Sequence, residues 1–568
     1  MKADIVATVR RTSLVSTFGV GSLLPAQDDS VMICGLEDWP DGGDVITEPR
    51  LARSLGVREF RSPPTWRKTD GDVPAVRFPQ WSFCTHCRRL APFWNLSDGG
   101  TTSCVHCSNP LSPSRFVSCC TNGHIEDFPY SAWVHKNASL PHAGHSLKLT
   151  ARGHTSALSD LVIECSCGES RSMEGAFAKA ALQGIKRCTG SRPWLTASEP
   201  DCDQPLRTLQ RGSANVWFAV TRSAISIPSV SSIADTFIEP RMRDVKPDAT
   251  PEAIADTLNP PTGCTTQDLI HSIERWRNPA VTPATATDDE LRAEEYTALV
   301  RGRGPVDDQA QFLCQEVDLA GSSLPPLVVQ VSRVSRLREV RALTGFTRIE
   351  PPMSDKDVAV APLTEKTDPS WLPAVEVLGE GVFLRLDDDL LERWCATDFA
   401  RSRTRDLTRS MTARAKQGQS SMLGETTISP RTLVLHSLAH VLLDEMSLTS
   451  GYPSSSLRER VYDKPEQAGI LIYTATADGA GSLGGLAALS DRHRIAATLA
   501  NGIERARWCT TDPVCIESTE SGVDGMNHAA CHGCLLVPET SCERFNLLLD
   551  RATLVGIPGA DDDAGLFR

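Results

Sequence analysis

The sequence lacks the features that mark membrane-spanning, secreted and nucleotide-hydrolysing proteins. None of its apolar runs approaches the ~18 residues needed to cross a bilayer. Near its start, polar residues and the pair Arg10-Arg11 interrupt the apolar core that a secretory signal would need. No lysine follows a glycine, which excludes the G-x-x-x-x-G-K-[ST] loop of P-loop ATPases. We therefore expect a cytoplasmic protein without a P-loop.

The chain also lacks an overall positive charge. Its 58 Lys and Arg residues are outnumbered by 71 Asp and Glu residues, so the formal net charge is −13. A protein that binds nucleic acid non-specifically is usually basic, and any such role must here come from a local patch. The length of 568 residues is enough for several globular domains.

Cysteine, by contrast, is abundant, with 19 residues. A reducing cytoplasm disfavours disulfides, so paired cysteines there indicate metal binding first. One set has the spacing C-x2-C-x16-C-x2-C and consists of Cys84, Cys87, Cys104 and Cys107. Two such knuckles meet around zinc when a hairpin joins them, whereas a redox dithiol needs one pair in a βαβ setting. The spacing predicts a zinc ribbon.

A second set of cysteines is spaced more loosely. It consists of Cys165, Cys167, Cys188 and Cys202, which we expect to form a second zinc site. Between the two sets, Cys120 and His124 lie in 119-CCTNGHIEDFPY. They either supply a third, incomplete site, or replace members of the neighbouring sets, or are a buried cysteine and a turn histidine.

The last cluster contains five thiols near the C-terminus. They are Cys509, Cys515, Cys531, Cys534 and Cys542, and His528 and His532 are adjacent alternatives. Because zinc takes four ligands, one thiol is spare or is shared with a second metal. In all, we expect two to four zinc ions per chain.

Two further patterns allow a catalytic or nucleotide-binding interpretation. His436 and His440 lie one helical turn apart and, with Glu445, could form a catalytic metal site of a hydrolase or nuclease. Ser437 occupies the position of the general-base Glu in H-E-x-x-H, which favours buried structural histidines. The loop 479-GAGSLG matches G-x-G-x-x-G. A dinucleotide site also needs an acidic residue at the end of a second strand, and a helix-like segment lies there instead, which favours a glycine-rich loop that packs a strand closely against a helix.

Two arginine-rich runs stand out against the acidic background, 332-SRVSRLREVRALTGFTR and 401-RSRTRDLTRSMTARAKQ. Arginine forms bidentate phosphate contacts, so Arg333, Arg336, Arg405 and Arg409 are candidate DNA-binding residues. Solvated helix faces or docking on an acidic partner explain such runs equally well.

These features predict an α+β multidomain protein, with small zinc-stapled β-rich modules in the N-terminal half and an α/β C-terminal domain with a cysteine cluster. The predicted segments are a β-rich 1–75, cysteine-rich modules in 76–215, a mixed region 216–425 and a zinc-binding C-terminal domain in 426–568. Residues 238–310 are rich in Pro and acids and predict an insertion with short helices. Residues 173–185 predict a helix, and 327–349 a strand that turns into a helix.

Several segments together resemble a known family. They are 10-RRTSLVSTFGVGSLL with 35-GLEDW, 119-CCTNGHIEDFPYSAWVH, 205-PLRTLQRGSANVWF, 334-VSRLREVRALTGFTRI, 436-HSLAHVLLDEMSLTSGY, and 505-RARWCTTDPVC with 530-ACHGCLL. End to end, the chain resembles DrmB, the helicase-associated component of the bacterial DISARM anti-phage system. From about residue 430 it also resembles the zinc-binding C-terminal domain of MrfA-type DNA-repair helicases.

The resemblance implies a partner and a role. The partner is a superfamily-2 helicase, DrmA, acting in trans, together with DNA bound through the complex and other DISARM components. We therefore expect a non-catalytic, cytoplasmic, zinc-binding subunit that helps the helicase bind or discriminate phage DNA. The alternative is the metal-dependent hydrolase or nuclease described above.

Overall fold

The computed structural model describes residues 5–567 except 28, 42, 65–71, 137–143, 154, 156, 197–201, 228–232, 239–240, 243–248, 262–263, 278–286, 303–310, 353–358, 417–427, 475–483, 523–524 and 560–563. The chain forms two compact units, and neither is one continuous segment. Unit 1 comprises Met1–Val45, Arg61–Arg222 and Ala342–Val375, and unit 2 comprises Ile46–Phe60, Ser223–Arg341 and Glu376–Arg568. The four consecutive segments predicted from the sequence stay a prediction.

The strands of the described residues are short in the first half of the chain and longer in the second. In chain order they are β1 Leu23–Pro25, β2 Ser30–Ile33, β3 Val45–Ile46, β4 Glu59–Arg61, β5 Ala75–Arg77, β6 Trp81–Cys84, β7 Arg89–Pro92, β8 Leu111–Pro113, β9 Phe116–Cys119, β10 Ile125–Asp127, β11 Leu147–Ala151, β12 Leu161–Cys165, β13 Ser170–Ser172, β14 Arg207–Gln210, β15 Phe218–Ile225, β16 Leu313–Glu316, β17 Val328–Thr347, β18 Trp371–Leu386, β19 Leu457–Tyr462 and β20 Gly469–Thr474.

The helices follow the same trend, and the longest of them lie in the second half. They are α1 Ser13–Ser16, α2 Pro49–Leu55, α3 Phe93–Leu96, α4 Tyr130–His135, α5 Ile233–Ile238, α6 Pro251–Thr257, α7 Thr266–Arg277, α8 Asp288–Arg301, α9 Asp388–Cys395, α10 Asp398–Lys416, α11 Pro430–Ser450, α12 Arg492–Ala506 and α13 Ala552–Val555. Short 3₁₀ turns are formed by Leu36–Asp38, Leu158–Asp160, Ala214–Val216, Ser454–Ser456, Ala487–Ser490 and Glu539–Ser541. The α+β prediction is confirmed.

Unit 1 contains small antiparallel sheets. One follows the order β1-β2-β5, another β10-β9-β14, and the largest β13-β12-β11-β7-β6-β8. A compact core between them includes Phe116, Phe128, Trp133 and Ile163. The turns that join these short strands carry most of the cysteines of this unit, as the β-rich module prediction requires.

The prediction of a helix for residues 173–185 is wrong, because this segment forms a series of turns. Gly175 and Gly184 both adopt a φ of 73°, which no α-helix accommodates. The apolar residues Met173, Leu182 and Ile185 still reach the core of unit 1. Tertiary packing therefore overrides the helix propensity of the alanine-rich sequence.

In unit 2, long strands pair antiparallel. The largest sheet has the order β15-β17-β18-β20-β19, and β16 pairs with β17. Gly381 of β18 pairs with Tyr473 of β20, and Glu459 of β19 pairs with Ile472. Residues 334–347, expected to be helical, continue β17 as a strand. The prediction fails because charged Arg338, Glu339 and Arg341 are buried in ion pairs, which erases the apolar alternation of a strand.

The α/β C-terminal region is built around the predicted helix α11. It begins at Pro430 after the capping Ser429, ends at Ser450 before Gly451, and is buried on nearly all sides. The predicted strand (β20), the helix α12 and the short helices within 238–310 (α6 to α8) also form. Residues 479–483 of the predicted glycine loop lie outside the described residues. Within the described chain, no helix combines the length and apolarity that a membrane span requires.

Arg348 is a buried arginine of unit 1 that bonds several main-chain segments. It is 1% exposed and donates hydrogen bonds to the carbonyls of Gly123 (2.7 Å), Val216 (2.6 Å) and Gly21 (2.8 Å). Its guanidinium lies over the rings of Trp194 and Phe346. Burial lowers the pKa of Arg348 to about 10, so the side chain remains charged at neutral pH. It joins three distant segments and is not available to DNA.

Replacing Arg348 by Met should destabilise unit 1. Three buried carbonyls would lose their donor, and each unsatisfied group costs about 1–3 kcal/mol. We expect the melting temperature to fall by several degrees in differential scanning calorimetry. The matched change Arg333→Met, on an exposed arginine of β17, should leave it within one or two degrees; equal melting of both variants would contradict this role.

Candidate metal centres

The predicted zinc ribbon forms a compact group, which we call the ribbon cluster (Cys84, Cys87, Cys104 and Cys107). The Sγ atoms of Cys84 and Cys107 lie 3.4 Å apart, and those of Cys87 and Cys104 lie 3.7 Å apart. Each Cys-x-x-Cys turn is closed by a left-handed residue, with φ of 63° at Arg88 and 57° at Ser108. The strands β6 to β8 thus hold the two knuckles face to face.

The thiols of the ribbon cluster differ in acidity. Backbone hydrogen bonding at Asn109 lowers the pKa of Cys107 to about 5, whereas burial raises the pKa of Cys87 to about 12. Four crowded sulfurs cannot all carry charge without a counter-ion. A divalent cation supplies it, since thiolates are its ligands.

A second group, the hairpin cluster, contains Cys120, His124, Cys188 and Cys202. Cys120 and His124 lie in the turn between β9 and β10, where Gly123 adopts a φ of 83°. The Sγ of Cys120 lies 3.4 Å from His124 Nδ1, 3.7 Å from Cys188 Sγ and 3.9 Å from Cys202 Sγ. Arg348 supports this turn through the Gly123 carbonyl. Of the alternatives for Cys120 and His124, the structure favours their joining members of a neighbouring set.

Cys165 and Cys167 do not join Cys188 and Cys202, so the four cysteines do not form the single site expected. They meet two histidines instead, in the mixed cluster (His135, His145, Cys165 and Cys167). His135 Nδ1 donates to the Ser131 carbonyl at 2.8 Å, which leaves Nε2 facing Cys167 Sγ at 3.4 Å. Histidine ligands of metals are oriented in this way, by a hydrogen bond from the ring nitrogen that does not bind the metal.

Sequence analysis missed His135 and His145. The two residues are ten positions apart, which matches no knuckle, and α4 and β11 bring them together only in the folded chain. One signal was present. Three of the 13 histidines lie within 135-HKNASLPHAGH, in the segment that precedes Cys165 and Cys167.

Near the C-terminus, four of the five predicted thiols assemble in the C-terminal cluster (Cys509, Cys515, Cys531 and Cys534). Sγ distances are 3.4 Å for Cys509–Cys531, and 3.7 Å for both Cys515–Cys534 and Cys531–Cys534. Burial opposes ionisation of Cys531, yet hydrogen bonds from Thr511 and neighbouring thiols lower its pKa to about 7. His528 instead bonds the Arg403 carbonyl and is not part of this group.

The fifth thiol, Cys542, is not spare. It lies in the buried cluster with His436, His440 and Glu459. Glu445, the acid expected to accompany the two histidines, accepts a hydrogen bond from Arg505 at 2.9 Å and lies outside this group. The catalytic site proposed for His436, His440 and Glu445 therefore does not assemble.

The donor sets fit zinc. A tetrahedron with Zn–S bonds of about 2.3 Å has edges of about 3.8 Å, and the observed sulfur–sulfur distances are 3.4 to 3.9 Å. All nineteen cysteines are free, and a disulfide would require about 2.05 Å. Zinc bound at these groups would crosslink the chain segments that carry them.

The four candidate DNA-binding arginines are exposed on unit 2. Arg405 and Arg409 on α10 are 66% and 70% exposed in their side chains and flank Asp406. Arg333 donates to Ser490 Oγ at 3.1 Å, and Arg336 is exposed on the same strand. Other members of the two runs are buried in structural roles, namely Arg338, Arg341, Arg348 and Arg403.

Comparison with known proteins identifies the family. Residues 10–218 match a domain of unknown function, DUF8724, and residues 438–535 match the MrfA Zn-binding domain. The chain is 30% identical over 557 residues to the DISARM protein DrmB of Bacillus paralicheniformis, which covers 93% of this chain and 97% of that protein. The chain belongs to the DISARM DrmB family.

This membership confirms the resemblance found in the sequence. The zinc-binding match of this DrmB family member spans all four residues of the C-terminal cluster. The DUF8724 match contains the ribbon, hairpin and mixed clusters. Both matched regions thus coincide with the cysteine groups, and the chain is a component of the DISARM defence system.

Replacing Cys84 and Cys87 together by Ser should remove zinc from the ribbon cluster and unfold the strands around it, because the binding energy of a structural zinc is folding energy. We expect a loss of about one zinc ion per chain and faster proteolysis between residues 76 and 215. Cys34→Ser, at a buried cysteine of unit 1 outside the clusters, is the control. Unchanged zinc content in the double variant would contradict this assignment.

Proposed function

We propose that this DrmB family member is a non-catalytic zinc-binding subunit that associates in trans with the DISARM superfamily-2 helicase, DrmA, and helps it bind or discriminate phage DNA. The observation that carries the proposal is the similarity to DrmB over 93% of the chain, with an MrfA zinc-binding match at residues 438–535. A sequence without a P-loop pattern needs a motor from another protein to act as part of a helicase.

The composition of the metal groups supports a non-catalytic role. Each group offers four protein donors, which is the number found in closed structural zinc sites. Catalytic zinc sites keep one position open for water or substrate and have three protein ligands. Closed structural zinc sites stabilise the local structure of a surface that a partner binds.

The exposed arginines supply a surface for phosphate. Arg401, Arg405 and Arg409 line a groove of about 730 Å³ together with Thr404 and Thr408. Arginine and hydroxyl groups bind phosphate oxygens without reading sequence. Only Asp406 offsets Arg405 and Arg409 among the ion pairs of the described residues, so most of their donors face solvent. Because the net charge is −13, most of the surface repels DNA, and DNA would bind only at such local basic patches. The acidic remainder of the surface suits binding to a basic helicase.

Changing Arg333, Arg336, Arg405 and Arg409 to Ala should weaken DNA binding by the complex with the helicase. Each lost phosphate contact should lower the slope of log K against log salt by about one. The loss should be similar for all DNA sequences, because phosphate contacts carry no base information. Fluorescence anisotropy titrations over a salt series measure both effects.

The control variant is Arg507→Ala, since Arg507 forms an exposed ion pair with Glu504 at the same spacing as Arg409 with Asp406. It should leave the salt slope unchanged. Pull-down of the helicase should survive in the quadruple variant. Loss of the complex with intact DNA affinity of the helicase would assign the arginines to the protein interface.

The isolated chain should hydrolyse neither ATP nor DNA. Assays with added Mg²⁺, Mn²⁺ or Zn²⁺ should give rates equal to buffer. At each group four side chains would occupy all the coordination positions of a bound metal and leave none for water or substrate. DNA cleavage that requires metal and disappears in His440→Ala would replace the proposal with a metal-dependent nuclease.

A further inference from the structure

The buried cluster draws its four side chains from distant parts of unit 2. His436 and His440 lie on successive turns of α11, Glu459 lies on β19, and Cys542 follows the 3₁₀ turn Glu539–Ser541. The side chains are between 0% and 3% exposed. A carboxylate and a thiol thus lie against the pair of histidines on helix α11.

Both histidines are oriented from outside the cluster. His436 Nδ1 donates to the Leu548 carbonyl at 3.2 Å, and His440 Nδ1 donates to the Leu535 carbonyl at 2.8 Å. A carbonyl only accepts, so each Nδ1 carries a proton. In the neutral imidazole, each Nε2 then has a free lone pair directed into the cluster.

These lone pairs point at a carboxylate, which only accepts hydrogen bonds when it is ionised. His436 Nε2 lies 3.0 Å from Glu459 Oε1 and 3.2 Å from Cys542 Sγ, and His440 Nε2 lies 3.4 Å from the same carboxylate oxygen. Within the described residues, His440 Nε2 and Glu459 Oε2 make no hydrogen bond. A lone pair facing a carboxylate at these distances is repulsive unless a cation lies between them.

Protonating the histidines is another way to remove the repulsion. It would place two positive charges beside one carboxylate at positions with no solvent exposure, which is costly. A metal ion accepts all four donors at once and leaves both imidazoles neutral.

We propose that His436, His440, Glu459 and Cys542 hold a zinc ion in a closed, structural site. Imidazole nitrogen, thiolate sulfur and carboxylate oxygen are all zinc ligands in proteins, and these four donors complete its tetrahedron. Backbone N–H groups of Arg544 and Asn546 each lie 3.3 Å from Cys542 Sγ and stabilise the thiolate. The ion fastens the chain around residue 542 to helix α11 and strand β19.

The test is the zinc content of the full-length protein, purified with zinc in the medium and measured by mass spectrometry of the element. His440→Gln and Cys542→Ala should each lose at least one zinc ion per chain. The matched control is His528→Gln, a fully buried histidine of unit 2 that bonds the Arg403 carbonyl and should lose none. Unchanged zinc in both cluster variants would overturn the proposal.

A second measurement covers variants that do not fold. Crystals of the unaltered protein, measured on both sides of the zinc absorption edge, should show an anomalous peak between the four side chains of the buried cluster. A map with peaks at the other four clusters and none here would overturn the proposal. Neither result depends on helicase binding, so the proposed function can fail independently.

Discussion

The fold depends on one constraint, which is that polar donor side chains converge in groups that need a cation at their centre. Fourteen of the nineteen cysteines take part. In unit 1 the strands are mostly three to five residues long, and such strands bury too little apolar surface to hold a sheet by themselves. Crosslinks at the turns between them supply the missing stability, because ligands that are far apart in the unfolded chain become neighbours.

How much of these groups the sequence predicts depends on the distance between their members along the chain. The ribbon cluster was predictable because each knuckle is a local turn and one hairpin joins the two. The hairpin cluster was not, since Cys188 and Cys202 reach Cys120 across 68 and 82 residues of chain. The partners of Cys165 and Cys542 depend in the same way on the packing of α4 and α11. Donor types were evident from the sequence, whereas their grouping required the fold.

The strands of unit 2 show a second limit of sequence patterns. Apolar residues at Val334, Leu337, Val340 and Leu343 recur every third position, which favours a helix, yet they lie on β17. Three charged residues between them are also buried, with Arg338 bonded to Glu376 at 2.7 Å and Arg341 to Glu339 at 2.7 Å. Where charged residues are buried in ion pairs, the polarity of a residue no longer predicts which face of a strand or helix is exposed to solvent. The same burial explains why an arginine-rich run exposes only some of its arginines.

A hydrogen bond links the two candidate metal groups of unit 2. His440 of the buried cluster donates to the carbonyl of Leu535, the residue that follows Cys534 of the C-terminal cluster. The Leu535 N–H in turn donates to the Cys531 carbonyl at 3.1 Å, which keeps the knuckle closed. The position of helix α11 and the shape of the knuckle therefore depend on each other. The main chain beside one group thus orients a histidine of the other.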